Sequence, residues 1–261
     1  MKKGIIIGSR GFIGSHFCKA LPYALKVDRT QIDLSNPKIE FSTEGYEFAL
    51  ITAGIGNPRK CEQDPQFSYK CNVLGTLKLG EELIKRGIVP VFFSSDYVFN
   101  DHLQLAPLNA YGKQKLELEK KALALDALVV RLSKVYGLQK GDGTLFDEMA
   151  ASLMYEKKVK AASDQVFAPI FIGDVVTQVL QLLEKGVTGI TDMVGPRYAS
   201  RFEMACALAR KLKGGVSLIE EIKLDTLNDG VLRPRFLKLS SSSPALSWED
   251  GVDTMVQAYA N

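Results

Sequence analysis

Gly4-Ile5-Ile6-Ile7-Gly8-Ser9-Arg10-Gly11-Phe12-Ile13-Gly14 is the stretch whose reading decides the fold. Its isoleucines are apolar on both faces, as a strand covered by helices on both sides should be. The glycines that follow permit a tight turn, a close backbone approach to a pyrophosphate and close helix–strand packing. A helix expected at 11–20 would then offer its first free amides to the phosphate. The spacing is Gly-x-x-Gly-x-x-Gly, which a plain βα turn shares, so position has to add weight. Asp28 ends a second expected strand at 25–28, twenty residues after Gly8, where an acid can take an adenosine ribose 2′-hydroxyl. Arg29 follows at once, and an arginine there can hold a 2′-phosphate, so NAD and NADP both stay open. Asp33-Leu34 falls near the adenine if the next connection folds back over it.

Outward from that stretch, short β-branched or aromatic runs at 48–53, 89–94 and 128–132 alternate with amphipathic segments at 65–86 and 107–125, the pattern of parallel βαβ units. Asp64-Pro65 is a helix start with an N-cap and a proline at the first turn, and Lys85-Arg86-Gly87 is a matching stop. Past residue 135 the alternation loosens. A helix is expected at 144–157, strand and loop at 160–172, and a helix at 174–185. Ser200-Arg201-Phe202-Glu203 is a capping box opening a helix to about 213. A polar loop at 240–243 with Pro244 precedes a final helix at 248–260. The expected organisation is α/β: a dinucleotide-binding Rossmann-type doubly wound parallel sheet at 1–135, with a small substrate-binding portion at 136–261 from which 170–194 returns to the sheet.

The composition is that of an ordinary globular chain: 261 residues, 46% hydrophobic and 24% charged. A net charge of +3 is too small to argue for nucleic acid or an anionic membrane, and neither is expected as a partner. There are two histidines, His16 and His102, too far apart for a multi-histidine metal site. The four cysteines are scattered, with no Cys-x-x-Cys pair, so neither a thiolate metal site nor a disulfide framework is expected. Neither a signal peptide nor a membrane span is expected, and a reduced cytoplasmic protein is the default.

Without a usable histidine, a hydroxyl must carry proton chemistry. Tyr-x-x-x-Lys does so when both side chains share one helix face, where the ammonium is expected to lower the phenol pKa. The motif occurs twice. Tyr136…Lys140 runs from a strand end into a glycine loop, where residues four apart are not neighbours. Tyr111…Lys115 lies in a charge-rich helical stretch and has the required geometry. The preceding strand ends Ser94-Ser95-Asp96-Tyr97, at the carboxyl edge where ligands of parallel sheets bind. Ser95 there can hydrogen-bond a carbonyl that Tyr111 also touches, although most such serines simply cap a strand end or turn.

These pieces, with Cys61-Glu62-Gln63-Asp64-Pro65, Asn72-Val73, 107–115, Arg131-Leu132-Ser133-Lys134-Val135-Tyr136-Gly137, Asp164-Gln165-Val166-Phe167-Ala168-Pro169 and Arg233-Pro234-Arg235, resemble the extended short-chain dehydrogenase/reductase family, and within it the dTDP-4-dehydrorhamnose reductase branch. The resemblance runs over nearly the whole chain. It implies an NAD(P)-dependent oxidoreductase that reduces a keto group of a nucleotide-linked sugar. Tyr111 would donate the proton, Lys115 hold the nicotinamide ribose, and Ser95 orient the carbonyl. Gly8, Arg10, Gly11, Phe12, Ile13, Gly14, Asp28, Arg29, Asp33 and Leu34 would line the cofactor path, with Thr52, Ala53 and Gly54 beneath it and Asn72 supporting it. Ser95, Asp96, Lys134, Asp164, Gln165 and Arg235 would face the substrate.

Three departures lie on the substrate side. Lys134 stands where the branch usually has tryptophan, Ile55-Gly56-Asn57-Pro58-Arg59 replaces a run with tyrosine and threonine, and the loop before Pro107 is short. Ser94-Ser95 also replaces the usual Ser-Thr. A nucleotide-sugar epimerase and an NAD(P)-binding regulatory subunit of a partner enzyme share the same motifs and remain alternatives. A homodimer is the assembly left open.

Overall fold

A computed structural model describes residues 3–212, 215–237, 239 and 245–260. In chain order the elements are β1 Gly4–Ile7, α1 Phe12–Ala20, β2 Leu25–Val27, β3 Phe48–Ile51, α2 Pro58–Gln63, α3 Pro65–Tyr69, α4 Thr76–Lys85, β4 Val89–Ser95, α5 Ala110–Leu123 and β5 Leu128–Leu132. There follow β6 Val135–Tyr136, α6 Leu145–Met154, β7 Val159–Ala162, β8 Val166–Phe167, β9 Ile170–Phe171, α7 Ile172–Glu184 and β10 Gly189–Met193. The chain continues with β11 Ala199–Ser200, α8 Arg201–Lys211, β12 Ile219–Ile222, β13 Phe236–Leu237 and α9 Trp248–Ala260. The polar loop expected at 240–243 with Pro244 lies outside the described residues.

Six parallel strands form one sheet in the order β10-β5-β4-β3-β1-β2. The isoleucine run explains why both sheet faces are covered. Ile6 packs with Leu50, Val91, Val130, Phe17 and Val179 on the face held by α1 and α7. Ile5 and Ile7 pack with Ala49, Ile51, Phe92, Leu83 and Leu118 on the face held by α4 and α5. Each fully buried aliphatic side chain contributes about 1.5–3 kcal/mol of transfer free energy. A second core, around Tyr136, Phe146, Leu153, Trp248 and Met255, holds the later helices together. Among the described residues no helix is long and apolar enough to cross a membrane.

Strand order reverses between β1 and β3: β2 lies on one side of β1 and everything after it on the other. Loops leaving the carboxyl ends diverge there, which opens a crevice suited to a ligand.

Two elements differ from the expected pattern. The helix expected at 65–86 is interrupted by a π turn at Lys70–Gly75. An extra residue in that turn rotates its side chains, and Asn72 is turned inward to tie the chain after β3. Helix α2 was not anticipated, although its start is ordinary: the Asn57 side chain accepts from the amides of Arg59 and Lys60, with Pro58 in the first turn.

Candidate active site

Gly8 has φ +95°, and a Cβ there would lie 2.6 Å from the Ala53 amide nitrogen. A Cβ on Gly14 would lie 2.2 Å from the Gly8 carbonyl oxygen. The turn after β1 can therefore press against both α1 and β3 only as glycine. Gly11 caps α1 without any side-chain hydrogen bond, so the first helix amides have no internal partner. Phe12 and Ile13 line the cleft in front of them.

From this turn a cleft of about 360 Å³ runs along the ends of β1 and β2, bordered by Arg10, Asp28, Arg29, Asp33, Leu34, Thr52, Ala53 and Gly54. The connection after β2 folds back, so Asp33-Leu34 reaches the site. Asp28 is already occupied. Its Oδ1 accepts from the Thr30 amide at 2.8 Å and the Thr30 hydroxyl at 2.6 Å, and its Oδ2 pairs with Arg10 Nε at 2.7 Å. The Thr30 hydrogen bonds, more than the Arg10 charge, hold the carboxyl below its ordinary range. Arg29 is exposed beside it.

Beneath the cleft, the Thr52 hydroxyl donates to the Ile7 carbonyl at 2.9 Å. Asn72, 1% exposed, accepts from the Ile55 amide at 2.7 Å and donates to the Ile55 carbonyl at 3.1 Å and to Gln114 Oε1 at 2.9 Å. Asn72 and Gly14 thus act from below the cleft as packing and bracing groups, and neither lines it.

The cleft continues into a second chamber of about 510 Å³, lined by Gly11, Thr52, Ser95, Asp96, Tyr111, Lys115, Lys134 and Gln165 among others. Helix α5 brings Tyr111 there. Asn109 caps the helix by accepting from the Gly112 amide at 2.8 Å, and a Cβ on Gly112 would lie 2.2 Å from the Tyr97 carbonyl oxygen. That close approach seats Tyr111 over the end of β4. One helical turn on, Lys115 Nζ donates to the Phe93 carbonyl at 2.8 Å and stands 5.7 Å from the centre of the Tyr111 ring. Two turns on, buried Glu119 accepts from the Ser94 hydroxyl at 2.5 Å and from Arg131 Nε and Nη2, each at 2.8 Å. This pair fixes α5 against β4 and β5, and removal of either charge from so dry a place costs about 3–5 kcal/mol.

The electrostatics correct one expectation. Burial first, then the Asp96 charge, pushes the Tyr111 phenol pKa up, with a Ser95 hydrogen bond opposing the rise. Burial brings Lys115 down to about 8. The phenol is thus held in the protonated, donor form. Asp96 accepts from the Ser95 hydroxyl at 3.0 Å, and burial raises its pKa to about 6.

The substrate-side expectations divide. Lys134 and buried Gln165 line the second chamber; Asp164 and Arg235 do not. Asp164 accepts from the Leu224 amide at 2.7 Å and pairs with Arg235, whose guanidinium also meets Asp225 at 2.6 Å. Their charges are spent on one another. Arg201 and Ser133 line the chamber without having been anticipated; the sequence marked Arg201 only as the first residue of a capped helix. The second tyrosine pair is no site: Tyr136 is fully buried and donates to the Ser247 carbonyl at 3.2 Å.

Comparison with known proteins adds four findings. The model of the RmlD substrate binding domain matches residues 2–260. The dTDP-4-dehydrorhamnose reductase of Mycolicibacterium smegmatis is 28% identical over 219 residues, which span 76% of this chain and 66% of that one. Methionine adenosyltransferase 2 subunit beta of Pongo abelii is 32% identical over 206 residues, or 71% of this chain and 60% of that one. Among solved structures, dTDP-4-dehydrorhamnose reductase of Bacillus anthracis, in complex with NADP, superposes with TM-score 0.85 at 19% identity, covering 98% of this chain and 99% of that one.

Proposed function

The chain belongs to the RmlD substrate binding domain family, and from that premise we propose that it is an NAD(P)H-dependent reductase of a keto group on a nucleotide-linked sugar, similar to dTDP-4-dehydrorhamnose reductase. The observation that carries this reading is the convergence of Ser95, Tyr111 and Lys115 on a chamber continuous with the glycine turn. The bare amides of α1 and the space kept by Gly8 suit a dinucleotide pyrophosphate. When bound, the nicotinamide supplies hydride. Ser95 and Tyr111 hold the substrate carbonyl oxygen, and as that oxygen takes on negative charge the proton on Tyr111 Oη passes to it. Lys115, protonated below about pH 8, stabilises the phenolate left behind until solvent returns a proton.

The adenosine end favours NADP. Asp28 has given its acceptors to Thr30 and Arg10, while Arg10 and Arg29 present donors to a 2′-phosphate. NADPH is expected to bind about tenfold tighter than NADH, and replacing both arginines with alanine is expected to erase the difference. Fluorescence titration with both cofactors measures it. The function itself is tested by NADPH oxidation across a panel of nucleotide-linked keto sugars. Turnover with at least one supports it, and none across the panel contradicts it.

The likeness to methionine adenosyltransferase 2 subunit beta motivates a second reading, a dinucleotide-binding subunit of a partner enzyme. Stoichiometric co-purification with a larger enzyme, together with NADPH binding and no oxidation, would favour that reading.

A further inference from the structure

We propose that the substrate carries a carboxylate on its keto-bearing ring and that Lys134 and Arg201 receive it; the inference rests on the reductase reading and narrows it to acidic sugars. Lys134 is placed by the sheet. Leu132 is the register partner of Ser95, so the chain leaving β5 carries Lys134 past the carbonyl centre, and the Ile170 amide fixes its backbone by donating to the Lys134 carbonyl at 3.0 Å. Arg201 comes from the start of α8. Its Nε donates to Gln165 Oε1 at 2.7 Å and its guanidinium lies 5.7 Å from the centre of the Phe167 ring, so its fork is oriented before any ligand arrives.

Both cations line the same chamber as Ser95 and Tyr111, and among the described residues neither makes an ion pair with a carboxylate. Lys134 faces Arg201 and Arg233 as like charges and Glu148 and Asp96 as opposite ones. Asp96 is engaged by the Ser95 hydroxyl. Arg233 is neutralised by Asp229, with contacts at 2.8 and 2.5 Å. Desolvation first, then like charge (Arg201 and Arg233 beside Lys134, Arg233 beside Arg201), pushes both pKa values down. Lys134 is exposed and Arg201 half-buried on the chamber wall, so both can meet an incoming anion. A carboxylate meets both a planar fork and a point charge with charge-assisted hydrogen bonds. The position of Lys134, just past the register partner of Ser95, puts that anion beside the reacting carbonyl.

Calorimetric titration of the NADP-bound protein with matched probes, UDP-glucose against UDP-glucuronate and dTDP-glucose against dTDP-glucuronate, tests this. The glucuronates are expected to bind about tenfold or more tighter than the glucose forms, and Lys134→Met and Arg201→Lys are expected to bring the ratio towards one with NADP affinity unchanged. A wild-type ratio near one overturns the proposal. So does an equal weakening of both sugars by Lys134→Met, which would put the cations on the diphosphate. If no nucleotide sugar binds while NADP does, the reductase reading fails separately. Malonate then probes the anion site by itself: binding that Lys134→Met abolishes sustains it, and no binding ends it.

Discussion

The two chambers of the cleft are built differently. The cofactor chamber rests on backbone at its pyrophosphate end, in the Gly8 turn, the bare start of α1 and the chain after β3, with Arg10, Asp28 and Arg29 bordering its adenosine end. The substrate chamber is mostly side chains, delivered by segments as far apart as Ser95, Tyr111, Lys134, Gln165 and Arg201. A backbone-built site tolerates side-chain changes and fails when a Cβ intrudes. A side-chain-built site can be silenced or redirected one residue at a time, with the fold left standing.

That contrast can be broken by three experiments. The largest effect is expected from Tyr111→Phe, which removes the proton donor and leaves the backbone cradle intact. It should lower kcat about 1,000-fold with unchanged NADPH affinity, read from steady-state rates and fluorescence titration. Asp96 comes next. Folded, it keeps its proton up to about pH 6, whereas unfolded it releases it near 3.8, as an ordinary aspartate does. Its contribution to stability is therefore fully present below about pH 4 and is lost as pH rises through about 6, on the order of 3 kcal/mol. Urea unfolding at pH 4.5 and 7 should show Asp96→Asn gaining on wild type at the higher pH; a constant difference would mean that Asp96 is not proton-coupled to folding. The smallest effect is expected from Gly14→Ala, whose Cβ would meet the Gly8 carbonyl oxygen at 2.2 Å. About 2 kcal/mol of lost stability, with weaker NADPH binding, should follow. An alanine accepted at no cost would show that the turn is looser than its geometry.

The same contrast explains what could be read from the sequence. β1, β3, β4 and β5 are legible as largely apolar runs bounded by turn residues, and the glycine turn is legible because its spacing is local. Tyr111 and Lys115 are neighbours by helix period alone. Arg201 carries no such mark, since its place in the chamber depends on α8 packing beside Gln165, 36 residues earlier. Asp164 and Arg235 fall in segments that resemblance assigns to the substrate, yet they meet each other across 71 residues, a pairing that no local pattern encodes. The π turn likewise depends on the tertiary tie between Asn72 and Ile55 and is hidden within a run that reads as one helix.

The central claim, hydride delivery to a sugar carbonyl with Tyr111 as proton donor, is tested most directly by deuterium transfer. NADPH deuterated at the transferring carbon, incubated with the protein and a nucleotide-linked keto sugar, should leave one deuterium on the former carbonyl carbon, as read by mass spectrometry and NMR. Tyr111→Phe should leave almost none in the same time. A product without deuterium, or full transfer in that variant, would contradict the account.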